Sequence, residues 1–182
     1  AFVSFPAMLG LAIVSQELIV ISITEKWLPC VPVMQILCVW GAFMPISTLY
    51  SNLMNSIGRP NIYMWNTIAL GIFQLLCVWG SYPYGLNVML IVYTAANIFW
   101  LLIWHYFAHK HIGISLFNTL KDIAPYLIIS VAVMTFTYWV AGYVKNIYLS
   151  LLVKVALAAS LYIFLMWSLK SIVFRESLQY LF

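Results

Sequence analysis

An all-α, polytopic membrane helix bundle of six transmembrane helices is the fold this sequence predicts, and three observations predict it. Of 182 residues, 65% are hydrophobic and 7% charged, against ~45–50% and ~25% in soluble domains. Mean hydropathy is +1.03. The apolar residues fall into six stretches, each close to the ~20 residues that cross the hydrocarbon of a bilayer. Too few polar side chains exist to face water on all sides, so lipid is the natural solvent. Runs of this length without period-two alternation specify helices rather than barrel strands.

The spans and their connectors follow in order. The first span runs from about Ala1 to Thr24 and ends at "ITEKWLPCVP", Ile23–Pro32. Glu25 and Lys26 stop it, and Trp27 anchors the interface through its amphipathic ring. Pro29 and Pro32 cannot continue the old helix but suit the first turn of a new one. A tight hairpin is therefore expected there. The second span covers about Val33–Ser56, and Gly58 and Pro60 in "IGRPN" force the next turn. The third covers about Ile62–Gly80 and closes at "SYPYG", whose two tyrosines suit an interface. The fourth covers about Leu86–Ala108, the fifth about Pro125–Val144 and the sixth about Tyr148–Leu169, with "KNI", Lys145–Ile147, between the last two. Pro6 and Pro45 lie inside spans and are expected to loosen or kink them.

The domain organisation expected is four spans over 1–108, a connector over 109–125, and two final spans with a tail over 126–182. In the connector Ile114, Phe117, Leu120 and Ile123 recur at helical spacing while Lys121 and Asp122 fall off the stripe. That pattern predicts a short helix lying in the membrane plane.

Orientation follows from Lys and Arg. Arg59, Lys110, Lys121, Lys170 and Arg175 fall on one side, Lys26 and Lys145 on the other. The positive-inside rule puts the first set, and the C-terminus, in the cytoplasm. The net charge of +4 is small and scattered, which excludes a nucleic-acid footprint. Cys30, Cys38 and Cys77 show neither metal spacing nor an even count for a disulfide framework, and read as small apolar fillers. No cofactor is expected. The chain starts at Ala1 without a basic segment before a short apolar core, so it is read as entering mid-protein, with no signal peptide.

"FPAMLGL" (Phe5–Leu11), "EKWLPCVPVMQIL" (Glu25–Leu37) and "NLMNSIGRPN" (Asn52–Asn61), in that order and spacing, resemble the C-terminal half of bacterial oligosaccharide flippases. These are the Wzx-type, polysaccharide-export branch of the multidrug/oligosaccharidyl-lipid/polysaccharide exporter superfamily. The likeness is tight over Phe5–Asn61 and rests on hydropathy beyond it. It implies that the chain is the last six helices of a 12–14-helix, two-bundle transporter whose N-terminal bundle is missing here. It implies a bacterial inner membrane location. It also implies transfer of an undecaprenyl-pyrophosphate-linked oligosaccharide from inner to outer leaflet, by alternating access and without covalent chemistry. Membrane lipid and that lipid-linked oligosaccharide are the implied partners. One departure stands out: the family often carries glycine where Thr24 or Glu25 stands, so the hairpin is expected to close differently.

Polar groups inside spans are the candidate substrate-binding or coupling residues, because they are costly there. Glu17 is an acid in the first span, read as a protonatable coupling group or as a structural partner. Lys154 lies at similar depth in the sixth, so pairing with Glu17 is open, as is snorkelling to the interface. Arg59 is a candidate phosphate ligand by its fork geometry, or a marker of the cytoplasmic side. Asn52, Asn55, Asn66 and Gln74, with Gln35 and Asn97, suit sugar contacts or hydrogen bonds between helices. The tryptophans and tyrosines read as interface belts and packing.

Two other functions are open. "HYFAHKH" contains His105 and His109 at i and i+4, one face of a helix, as in membrane oxidoreductases with histidine boxes. No second box accompanies it. A multidrug or small-molecule antiporter of the same superfamily is the nearer alternative. Export of cations would favour acidic groups deep in the bundle, and Glu17 is the one such group.

Overall fold

The structure is a computed structural model that describes residues 2–142 and 146–168. Its six long helices are α1 (Ser4–Ser22), α2 (Val31–Ser56), α3 (Pro60–Ser81), α4 (Leu86–Ile112), α5 (Leu116–Ala141) and α6 (Ile147–Ser168). All six carry segments long and apolar enough to cross a membrane. The all-α membrane bundle is thus what the chain forms.

Local chemistry sets the helix ends. Pro32 and Pro60 fall in the first turns of α2 and α3, where a missing N–H costs nothing. Between α1 and α2 the chain makes a 3₁₀ segment, Glu25–Cys30. Thr24, which opens it, has φ 156°, the one positive value at a non-glycine among the described residues. The hairpin therefore turns at Thr24, one of the two positions where the resemblance leads one to expect glycine. Pro6 sits in the first turn of α1 rather than mid-span, so it breaks no helical hydrogen bond. Pro45 lies inside α2, which continues through it.

The region 109–125 departs from the expected connector. Helix α4 runs on to Ile112, because His109, Lys110 and His111 complement its carbonyl end. Gly113 then adopts φ 76°, the left-handed geometry that ends a helix. Of the expected in-plane stripe, Phe117, Leu120 and Ile123 belong to the opening turns of α5, and Ile114 lies just before that helix, so no separate in-plane helix forms. Pro125 removes one N–H without ending that helix. At ~1.5 Å per residue a helix this long exceeds the ~30 Å hydrocarbon, so it holds both the polar Lys121–Asp122 turn and the span.

The helices form an ordered row. α3 packs on α4, α4 on α2, α2 on α1, and α1 on the α5–α6 pair; α3 also touches α2. One core lies between α2 and α4, built from Tyr50, Met54, Trp100, Trp104 and Ala108. A second joins Val133 of α5 to Tyr162 and Met166 of α6. The Tyr162 hydroxyl donates to the Phe2 carbonyl at 2.7 Å, tying α6 to the start of α1. Phe5 and Phe43 meet edge to face at 5.3 Å between α1 and α2. Those helices approach closely at Gly41, where a β-carbon would lie 3.1 Å from the Met8 sulfur.

The inside of the bundle is polar for a greasy chain. Ser15, Glu17, Asn66, Thr94, Asn97, His105, Ser130, Thr137, Ser150 and Lys154 are buried, while Trp65, Leu75 and Trp79 on α3 point outward. Lipid is as apolar as leucine, so apolar side chains gain nothing by hiding from it, and polar ones gain partners by turning in. Lys145, Lys170 and Arg175, used above for orientation, lie outside the described residues.

Candidate functional site

The seven candidate residues separate into three groups. The first is an ion pair between α1 and α6. Glu17 lies near the end of α1, and Lys154 about two turns into α6. The helices run so that both residues reach one depth. Lys154 Nζ pairs with Glu17 Oε1, both side chains about nine-tenths buried. This is the one salt bridge among the described residues. Ser150, one helical turn before Lys154, donates to the same Oε1 at 3.0 Å. The ammonium also donates to the Ile13 carbonyl at 3.2 Å and sits 5.7 Å from the centre of the Tyr138 ring, on α5. Three helices thus converge on one cation. Glu17 Oε2 is buried and has no hydrogen-bond partner. Lys154 does not snorkel; it is the one charged residue lining an apolar groove of about 680 Å³ between α1, α5 and α6.

The second group is turned inward between α3 and α4. Asn66 Oδ1 accepts from Trp100 Nε1 at 2.8 Å. An indole donates only, so this bond fixes which way the amide faces. Gln74 Nε2 donates to Asn97 Oδ1 at 2.8 Å, and Asn97 Nδ2 donates to the Tyr93 carbonyl at 2.8 Å. Gln35 similarly reaches the Ala12 carbonyl at 3.3 Å, from α2 to α1. In this arrangement Asn66, Gln74 and Asn97 serve as clasps between helices.

The third group stays open. Asn52 and Asn55, in the last turns of α2, and Arg59, in the turn after it, are exposed. Thr48, one turn before Asn52, is exposed too, but its hydroxyl is satisfied by the Met44 carbonyl at 3.1 Å. No side-chain hydrogen bond within the described residues holds Asn52 or Asn55. Spacing of four, three and four along 48, 52, 55 and 59 puts them on one side of the helix and its extension. A stripe of free amides in a membrane helix must meet water, a polar ligand or another protein segment, because hydrocarbon offers no partner.

The histidines have their own partners. Tyr50 Oη and His105 Nδ1 share a buried hydrogen bond of 2.9 Å. His109 Nδ1 donates to the Ile114 carbonyl, also at 2.9 Å, closing the turn after α4. Among the described residues no three of His, Cys, Asp and Glu gather as metal ligands.

Sequence reasoning missed Ser150, Tyr138, Tyr50 and Trp100. Ser150 carried a signal, since it precedes Lys154 by four residues and so shares its helix face. Tyr138, Tyr50 and Trp100 carried none, because aromatic residues fill every span.

Two known proteins match part of the chain. Over 74 residues it is 30% identical to an uncharacterized membrane protein in the cps region of Klebsiella pneumoniae. Over 72 residues it is 32% identical to the lipopolysaccharide biosynthesis protein WzxC of Escherichia coli K12. The aligned segments are 40% and 39% of this chain and 15% of each relative's length. No family model matches, and no solved structure does. The likeness to Wzx-type proteins is supported by these two partial matches, one to a membrane protein of a cps region and one to a lipopolysaccharide biosynthesis protein.

Proposed function

We propose that the chain is the C-terminal part of a membrane transporter that moves an undecaprenyl-pyrophosphate-linked oligosaccharide from the inner to the outer leaflet. The observation that carries this reading is the open stripe of Asn52 and Asn55 leading to Arg59. Its chemistry suits the cargo. A sugar headgroup bears many hydroxyls and a pyrophosphate, none of which can enter hydrocarbon unpaired. Amides donate to and accept from hydroxyls, and a guanidinium holds phosphate through two parallel bonds. A wall of this kind, facing a second bundle, supplies a polar passage while the lipid tail stays in the bilayer. Rocking of the two bundles then alternates access, and no bond is made or broken.

Among the described residues Arg59, Lys110 and Lys121 lie at one end of the bundle and Lys26 at the other. The positive-inside rule makes the first end cytoplasmic, which places the amide stripe at the inner mouth where the headgroup enters. The membrane concerned is the bacterial cytoplasmic membrane. The Asn66, Gln74 and Asn97 amides act in this reading through the helices they hold, not on the sugar.

The test is leaflet translocation of a labelled lipid-linked oligosaccharide in vesicles by the full transporter that contains this chain. Asn52→Leu with Asn55→Leu is expected to cut the initial rate at least about tenfold, as for two lost transition-state contacts of ~1 kcal/mol each. An unchanged rate would remove the stripe from the passage.

A further inference from the structure

The ion pair between α1 and α6 holds one feature that packing does not require. Glu17 Oε1 accepts from both Lys154 and Ser150, while Oε2 is buried with no partner. An open carboxylate oxygen in a low-dielectric site costs free energy, and a proton bound there lowers that cost. Oε2 is thus the carboxylate oxygen left open to a proton.

The consequence of that proton follows from the contacts. A neutral carboxyl no longer offsets the ammonium. Lys154 then has the Ile13 carbonyl and the face of Tyr138, a weak hold for a buried charge. The apolar groove beside it gives its stem room to swing. The outer end of α6 is about two turns away, within the range over which lysines snorkel. Other titratable groups do not compete. α2 carries no charged residue, only Cys38 and Tyr50, and Glu25 and Lys26 of the 3₁₀ segment are exposed. On α5 the neighbour is Tyr138, and on α6 the other titratable side chains are Tyr148 and Tyr162.

We infer that Glu17 is a proton-binding site and that its protonation releases Lys154, loosening α6 from α1. The release is a latch between the row α1–α4 and the α5–α6 pair, since α1 makes the main contact between them. This inference stands on the ion pair alone and not on the cargo proposed above.

The test needs no transport. With the protein in lipid vesicles, infrared spectra report the carboxyl of Glu17, assigned by its loss in Glu17→Gln. Spin labels at Ile21 on α1 and Leu152 on α6, both exposed, report the distance between the helices. From neutral to acidic pH the carboxyl band is expected to appear and the distance to grow by on the order of 1–2 Å, a typical helix shift. Glu17→Gln is expected to hold the longer distance at every pH. Lys154→Met is expected to invert the response, closed in acid and displaced at neutral pH, because only the neutral carboxyl then fits its site. Glu17→Gln with Lys154→Met, which removes both charges, is expected to stay closed and insensitive to pH. A carboxyl that stays ionised in acid, a distance unmoved while it protonates, or a double variant that still responds to pH would each overturn the proposal.

Discussion

The α1–α5–α6 region and the α2–α3–α4 region solve one problem in different ways. Both must hold helices together where lipid gives no hydrophobic drive for association. The first region uses full charges, Glu17 and Lys154, joined by Ser150 and the Ile13 carbonyl. The second uses neutral amides and aromatics, with Asn66 on Trp100, Gln74 on Asn97 and Tyr50 beside His105. A buried charge pair adds little net stability over a neutral pair, yet it costs much when one partner is lost. An amide clasp costs less to break, and its loss is local. The region that is cheap to disturb also carries the open stripe, and the region that is costly to disturb carries the latch. A junction that must switch needs the larger difference between its two states.

The largest effect should come from removing one charge. Lys154→Met leaves Glu17 buried and unpaired, and is expected to lower the stability of the bundle by about 3–5 kcal/mol at neutral pH. Unfolding in mixed micelles measures it. The loss should shrink as the medium is acidified, because protonation neutralises the orphan. Replacing both charges, Glu17→Gln with Lys154→Met, should return stability to within about 1 kcal/mol of the parent. A single variant no worse than the double would end the contrast between the regions.

Next comes the amide clasp. Asn66→Leu strands the Trp100 indole N–H, and about 1–2 kcal/mol is expected. Tryptophan fluorescence alongside the unfolding curve would locate the change at Trp100. Gln74→Leu should cost about 0.6 kcal/mol, the average for such bonds in membrane helices. A Gln74 effect as large as that of Lys154 would mean that neutral and charged clasps do not differ. The smallest effect belongs to the open stripe. Asn52→Leu with Asn55→Leu should leave stability within about 0.5 kcal/mol, while reducing translocation. Loss of stability instead would show that these amides already have partners within the bundle.

The departure at the first hairpin gives one more comparison. Thr24 carries a positive φ, a geometry glycine adopts at no steric cost. Thr24→Gly is expected to raise stability by up to about 1 kcal/mol, read from the same unfolding curves.

What the sequence decided by itself is the solvent and the element count. Six hydrocarbon-length apolar runs with turn residues between them leave no other fold, because backbone groups in lipid must pair within their own helix. Pro32, Pro60 and Gly113 fixed helix ends locally, through φ and the missing proline N–H. The stretch 109–125 was harder to read. Its charged turn and Pro125 look like a break, yet one lost hydrogen bond does not end a helix that is stabilised on both sides. Glu17 and Lys154 stood out as costly groups at similar depth, but their pairing depended on α6 returning beside α1, 137 residues along the chain. Asn66, Gln74 and Asn52 are alike as letters. Only the neighbours on α4, present for the first two and absent for the third, separated clasp from open wall. That division is set by which helix faces which, a property of the packed row and not of any single span.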